Sequence, residues 1–165
     1  MAKKTNPAKG SGIKMKSLME GDVAFSLLAI RSTAPDTRMA WLLNRALHLD
    51  FIHYCDLGGR GEPDGGLQHA LLSADKPEAP RQFAAFRAAN ATLNRTYILI
   101  TNRQNNEPLI KELAHVDYLL KIPEALPSAE LAALGAAIRA IPGVLACIDV
   151  ANILKYNPLL ASLEA

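Results

Sequence analysis

The sequence predicts an α+β fold: an antiparallel-rich mixed sheet of about five to six strands with two helices packed on one face. Three observations predict it. Met39, Leu42, Leu43, Ala46 and Leu47 recur at spacings of three and four, as do Leu131, Leu134, Ile138 and Ile141; each set marks one apolar helix stripe. Around them lie several apolar runs of strand length bounded by Gly, Pro and Asn. A single stripe per helix needs a common sheet face to cover it. A chain of 165 residues, 50% hydrophobic and 21% charged, also has the composition and size to bury one core without a metal or disulfide staple.

Taken in order, residues 1–12 are rich in Lys, Gly, Ser and Asn and read as a disordered basic tail, with a single α+β domain over 13–165. Ile13 to Met19 begins as an apolar–polar alternation, the pattern of a short edge strand. Gly21-Asp22 is a turn signal, and Val23 to Ile30 is a strand-length apolar run. Thr33 or Asp36 is expected to cap the first helix, with Pro35 already at a helical φ; its end is expected near His48 to Asp50. Phe51 to Leu57 returns as a strand, which makes strand, helix and strand a βαβ crossover.

Gly58 to Pro80 is a loop, with five of the ten glycines at 58, 59, 61, 65 and 66. Strands follow at Arg81 to Ala89, Arg95 to Asn102 and His115 to Ile122. The second carries apolar residues on both faces (Tyr97 and Leu99, Ile98 and Ile100) and belongs in the middle of the sheet. Arg103 to Pro108 is a polar turn. Ser128 is the expected N-cap of the second helix, Pro142-Gly143 stops it, and Val144 to Val150 is the last strand. Ala151 to Ala165 reads as a short helical turn and a loose end.

Charge is distributed unevenly. Residues 1–19 carry +5 from Lys3, Lys4, Lys9, Lys14 and Lys16; the rest, with 13 Lys+Arg against 16 Asp+Glu, carries −3. A tail of that kind adds a salt-sensitive attraction to nucleic acid. No apolar run approaches the roughly 18 residues a membrane span requires, and the lysine-interrupted start does not have the form of a secretory signal. Cys55 and Cys147 are isolated. These features place the chain in the cytoplasm, with its thiols reduced.

The polar constellations give no catalytic motif. The glycine-rich loop has neither a Gly-Lys-Ser/Thr ending nor a helix behind it to cradle phosphate. His48, His53, His69 and His115 do not fall at metal-ligand spacing. The densest polar group is Glu112, His115, Asp117 and Tyr118. Of these, Glu112, Asp117 and Tyr118, joined by Asn44 from the first helix, are the candidate ligand-binding residues. The aromatics Phe83, Phe86, Tyr97 and Tyr118 lack the basic-glycine-aromatic pattern of an RNA-binding sheet.

Leu109 to Tyr118, reading LIKELAHVDY, resembles the signature of the IPExxxVDY family, small proteins of the Bacteroidetes, with Lys111 where the signature has proline. Further likeness lies in Ala40 to Leu47 with Leu49-Asp50, in Tyr118 to Ile122 and in Ile141 to Leu145, so that it spans about residues 20 to 155. The resemblance implies a soluble cytoplasmic α/β domain with no assigned activity, cofactor or catalytic residue.

The functional expectation is a non-enzymatic binding or assembly module, needing no cofactor, that self-associates or docks on another protein through a sheet edge or a helix face. The small residues Ala132, Ala133, Ala136 and Ala137 permit the close approach this requires. Two alternatives stand beside it: small-molecule sensing or catalysis near Glu112, Asp117 and Tyr118, and association with RNA or the ribosome aided by the tail.

Overall fold

The computed structural model describes residues 25–57, 83–154 and 159–160. The expected tail, the strand at 13–19 and the glycine-rich loop lie outside these residues. Six strands form one sheet in the order β2-β3-β4-β7-β1-β8: β1 (Ser26–Ser32), β2 (Ile52–Leu57), β3 (Phe83–Asn90), β4 (Arg95–Thr101), β7 (Tyr118–Ile122) and β8 (Val144–Asp149). Between β4 and β7 a two-residue ribbon, β5 (Arg103–Gln104) with β6 (Glu107–Pro108), replaces the expected polar turn. The left-handed backbone of Asn105 and Asn106 closes it.

Every neighbouring pair in the sheet is antiparallel. The alternation leaves β1 and β2 running in the same sense, so the expected crossover through helix α1 (Asp36–Leu47) exists, but it passes over three intervening strands. Likewise β7 and β8 run in the same sense, joined by helix α2 (Ser128–Arg139), with β1 inserted between them. β4 lies inside the sheet, as its two apolar faces require, with Ile98 and Leu99 fully buried on opposite sides.

Both helices cover one face. Met39 and Leu43 from α1 and Leu131 and Ile138 from α2 pack with Leu28, Ile30, Leu99, Tyr118 and Leu120. The caps differ from expectation. Neither Thr33 nor Asp36 bonds the first turn as an N-cap: Pro35 occupies that position, and Asp36 Oδ1 accepts only the adjacent Thr37 N–H at 2.7 Å. Pro127 likewise precedes α2, so Ser128 is its first helical residue and makes no capping bond. A proline with extended ψ turns the chain into the helix without a side-chain acceptor.

The opposite face is covered too, by a 3₁₀ turn (Lys111–Leu113) and its flanks Ile110 and Val116, by helix α3 (Ala151–Leu154) and by Leu160. These pack on Leu27, Ala29, Ile98, Ile100 and Leu119. The two edge strands, β2 and β8, both pair irregularly with their inner neighbours: the register shifts between His53 and Cys55, and between Arg31 and Ser32 opposite β8. Such bulges twist an edge and discourage indiscriminate pairing.

Candidate functional site

The chain around the end of β1 shows what the candidate polar residues do. Asp117 is half-buried just before β7; its Oδ2 accepts the Ser32 N–H at 2.9 Å, and its Oδ1 lies 3.7 Å from Arg103 Nη1. Ser32 Oγ donates to the Gly143 carbonyl at 3.0 Å and accepts the Ala34 N–H at 3.2 Å. Tyr118 is buried on the helical face, and its hydroxyl donates to the Ala34 carbonyl. Burial, then the nearby Asp36 and Asp117 carboxylates, push the Tyr118 phenol well above its ordinary range. A neutral phenol fixed as a donor holds the turn into α1.

Asn44 is elsewhere. Its Oδ1 accepts the Phe51 N–H at 2.6 Å, while its carbonyl receives the His48 and Leu49 N–H groups. His48 takes the left-handed conformation there, at φ 54°, and Asn44 therefore closes the α1–β2 connection. Glu112 is exposed on the 3₁₀ turn, on the sheet face away from the helices. Of the four candidates, the structure brings only Asp117 and Tyr118 together, at a structural junction.

One residue that sequence reasoning passed over organises the segment from Leu109 to Asp117. Asn102 has no exposed surface. Its Nδ2 donates to the Leu113 and Val116 carbonyls at 2.8 and 2.9 Å, and its Oδ1 accepts the Ile110 N–H at 3.0 Å. Its backbone N–H and C=O meet Asp117 and Leu109 at 2.8 and 2.7 Å. The only sequence signal was an Asn directly after an apolar strand.

The remaining chemistry is dispersed. His53 Nε2 lies 2.9 Å from Asp56 Oδ1 on exposed β2, its ring edge-on to Phe86. His48 and His115 are exposed, and His69 lies outside the described residues. Among the described residues no group of three His, Cys, Asp or Glu side chains could hold a metal, and no helix is long and apolar enough to cross a membrane. Cys147 is buried, and burial pushes its thiol up to about 11 despite the opposing influence of Arg139.

Two grooves flank α2. One, of about 480 Å³, runs between α1 and α2 and is lined by Leu42, Arg45, Ala46, Ala137, Ala140 and Ile141. Beside it Trp41 is 51% exposed, with the Arg45 guanidinium 4.9 Å over its ring. The other, of about 350 Å³, lies between α2 and edge strand β8. Comparison of the chain with protein-family models, curated proteins and solved structures finds no match.

Proposed function

We infer that the chain is a non-enzymatic binding and assembly module that associates with a second copy of itself through the outer surface of the α1–α2 layer. The observation that carries this reading is the solvent face of α2. Ala129, Ala133, Ala136 and Ala140 are all exposed and follow one another at intervals of four, three and four residues, the repeat of a coiled-coil seam. Leu131 and Ile138 occupy the opposite side against the sheet. A surface helix ordinarily presents charge to water there; α2 carries only Glu130 and Arg139, both flanking the seam.

An alanine seam admits a partner helix at the short end of the usual 8–10 Å range of axis separations. In antiparallel twofold packing Ala133 meets the copy's Ala136 and Ala129 meets its Ala140, while neither flanking charge faces its own kind. Trp41, held by Arg45, and the adjoining groove extend this surface with the residue types that anchor interfaces. A twelve-residue helix is only about 18 Å long, so micromolar affinity is expected rather than an obligate dimer.

Sedimentation velocity from about 1 to about 200 µM tests this by mass action. The chain should pass from monomer to dimer across that range, and Ala136→Glu should hold it monomeric with an unchanged circular dichroism spectrum. A strict monomer throughout overturns the reading.

A further inference from the structure

The groove between α2 and β8 is independent of the alanine seam and has its own chemistry. Along β1 the Ile30 carbonyl accepts from Asp117, on the β7 side, and the Leu27 carbonyl from Val150, on the β8 side. Strand backbones alternate, so Ala29 and Arg31 exchange hydrogen bonds with their register partners Ile148 and Ala146. Cys147 and Asp149 therefore turn their N–H and C=O groups outward from the sheet. The Cys147 carbonyl meets Arg139, whose Nη1 donates to it at 3.0 Å. The Arg139 side chain reaches it across Gly135, where an added Cβ would stand 3.4 Å from the same Nη1.

Ala132, Gly135, Arg139, Cys147, Ile148 and Asp149 line this groove. Among the described lining residues Arg139 is the one cation and Asp149 the one anion. Ile148 is 51% exposed and Ile153, just beyond on α3, is 65% exposed. An edge strand, a guanidinium displaceable from a backbone carbonyl and exposed apolar side chains are the parts needed for strand addition.

We propose that β8 accepts an extended segment of a partner protein as a seventh, antiparallel strand, with Arg139 as the removable cap of the edge. The charges set what the segment must carry. Cys147 and Asp149 share the helical side of the sheet, as their partners Ile30 and Leu28 do, and Ile148 lies on the other side. An antiparallel segment thus needs a basic residue opposite Asp149, an apolar residue beside Ile148 and an acidic residue opposite Cys147. Arg139 leaves the carbonyl and pairs with that acid, and the segment's own N–H takes its place. The register irregularity at Ser32 confines regular pairing to Ala146–Asp149.

The probe is a fluorescein-labelled peptide reading Val-Thr-Val-Lys-Val-Glu-Val-Thr-Val, titrated by anisotropy against the full chain, with a control in which its Lys and Glu are exchanged. The Lys–Val–Glu peptide should bind at least about fivefold tighter than the exchanged one, since two exposed ion pairs are traded for two repulsions. Arg139→Glu should level the two affinities, since each peptide then meets one opposite and one like charge, and Arg139→Gln should narrow the difference. Hydrogen exchange should show new protection at the Cys147 and Asp149 amides and none at Ala146 and Ile148, which already bond to β1. Ala133→Glu, in the seam but six residues from Arg139 and outside this groove, should leave all of this unchanged, which separates failure here from failure of the self-association reading. Equal affinity for the two peptides, absence of saturable binding, or protection away from those two amides overturns the proposal.

Discussion

Asn102 has each of its polar groups committed to a partner, and that makes it the most consequential side chain in the segment before β7. Replacing it with Ala leaves the Ile110 N–H and the Val116 carbonyl without the Asn102 amide, while the Leu113 carbonyl keeps the Val116 N–H. Each orphaned buried group costs about 1–3 kcal/mol. Urea denaturation of Asn102→Ala should therefore show a loss of roughly 3 kcal/mol, whereas Glu112→Ala, at an exposed position, should stay within about 0.5 kcal/mol of the unaltered chain. Tyr118→Phe removes one hydroxyl and leaves the Ala34 carbonyl unbonded, for an expected loss of about 1 kcal/mol. Ligand chemistry at Asp117 and Tyr118 would need these groups free, yet their bonds join β1, β7 and the start of α1. Sequence reading could name these side chains but had no means of seeing the backbone atoms that claim them.

Cys147 gives a pH dependence at the same scale. Burial raises the folded thiol to about 11 from an ordinary value nearer 8.5–9. The folded state thus favours the neutral thiol, and the associated stability is complete below about pH 8.5 and lost as pH rises toward 11. The expected result is a urea midpoint that falls between pH 9 and 11 and a shallower fall in Cys147→Ser. The exposed ring and half-exposed thiol of the β2 edge offer a contrast, because Cys55 is raised more modestly, first by burial and then by Asp56. Thiol titration with a disulfide reagent at pH 8 should accordingly modify Cys55 before Cys147.

Among the elements, α2 is fixed at its start by a clamp that joins three parts of the chain. Arg95 at the beginning of β4 donates through Nε to Glu124, in the β7–α2 connection, and through Nη1 to Glu130 in the first turn of α2. The guanidinium is largely covered, while the two carboxylates remain nearly half exposed, so solvent screens much of the attraction. Arg95→Ala is expected to lower stability by roughly 1 kcal/mol, and Glu124→Gln or Glu130→Gln by less than about 0.5 kcal/mol each, measured as shifts in urea midpoint at low salt and diminished by added salt. Both helices were legible because their stripes repeat locally; β4 was legible because an inner strand must be apolar on both sides. The sequence pattern had less to say about ends: a proline at the N-cap needs no side-chain acceptor, and the αL residue closing α1 is a histidine, His48, rather than a glycine.

At the scale of the whole molecule, the strand order is what periodicity could not supply. Nothing local in Val144–Asp149 says that it pairs with β1 rather than with β7, which precedes it by one helix; the pairing joins Leu28 to Asp149, far apart in the chain. The same holds for the second face, where Ile110 and Leu113 come from a stretch between the expected turn and strand, Val116 from the expected strand start and Leu160 from the expected loose end. Because one sheet carries a core on each side, its central strands couple the two: Leu99 and Leu120 lie on the helical face, and their immediate neighbours Ile98 and Leu119 lie on the other. Truncation on either side should then weaken a single cooperative transition. Leu120→Ala and Ile100→Ala, both fully buried, should each cost about 2–5 kcal/mol, with tyrosine fluorescence and far-ultraviolet circular dichroism melting together in each variant. If Ile100→Ala instead separated the two probes, the faces would be independent, and the sheet would be a platform bearing two weakly linked layers. Native-state hydrogen exchange distinguishes these pictures strand by strand: β4, β7 and β1 should exchange only through global opening, at the free energy of unfolding, and the outward amides of β2 and β8 far sooner.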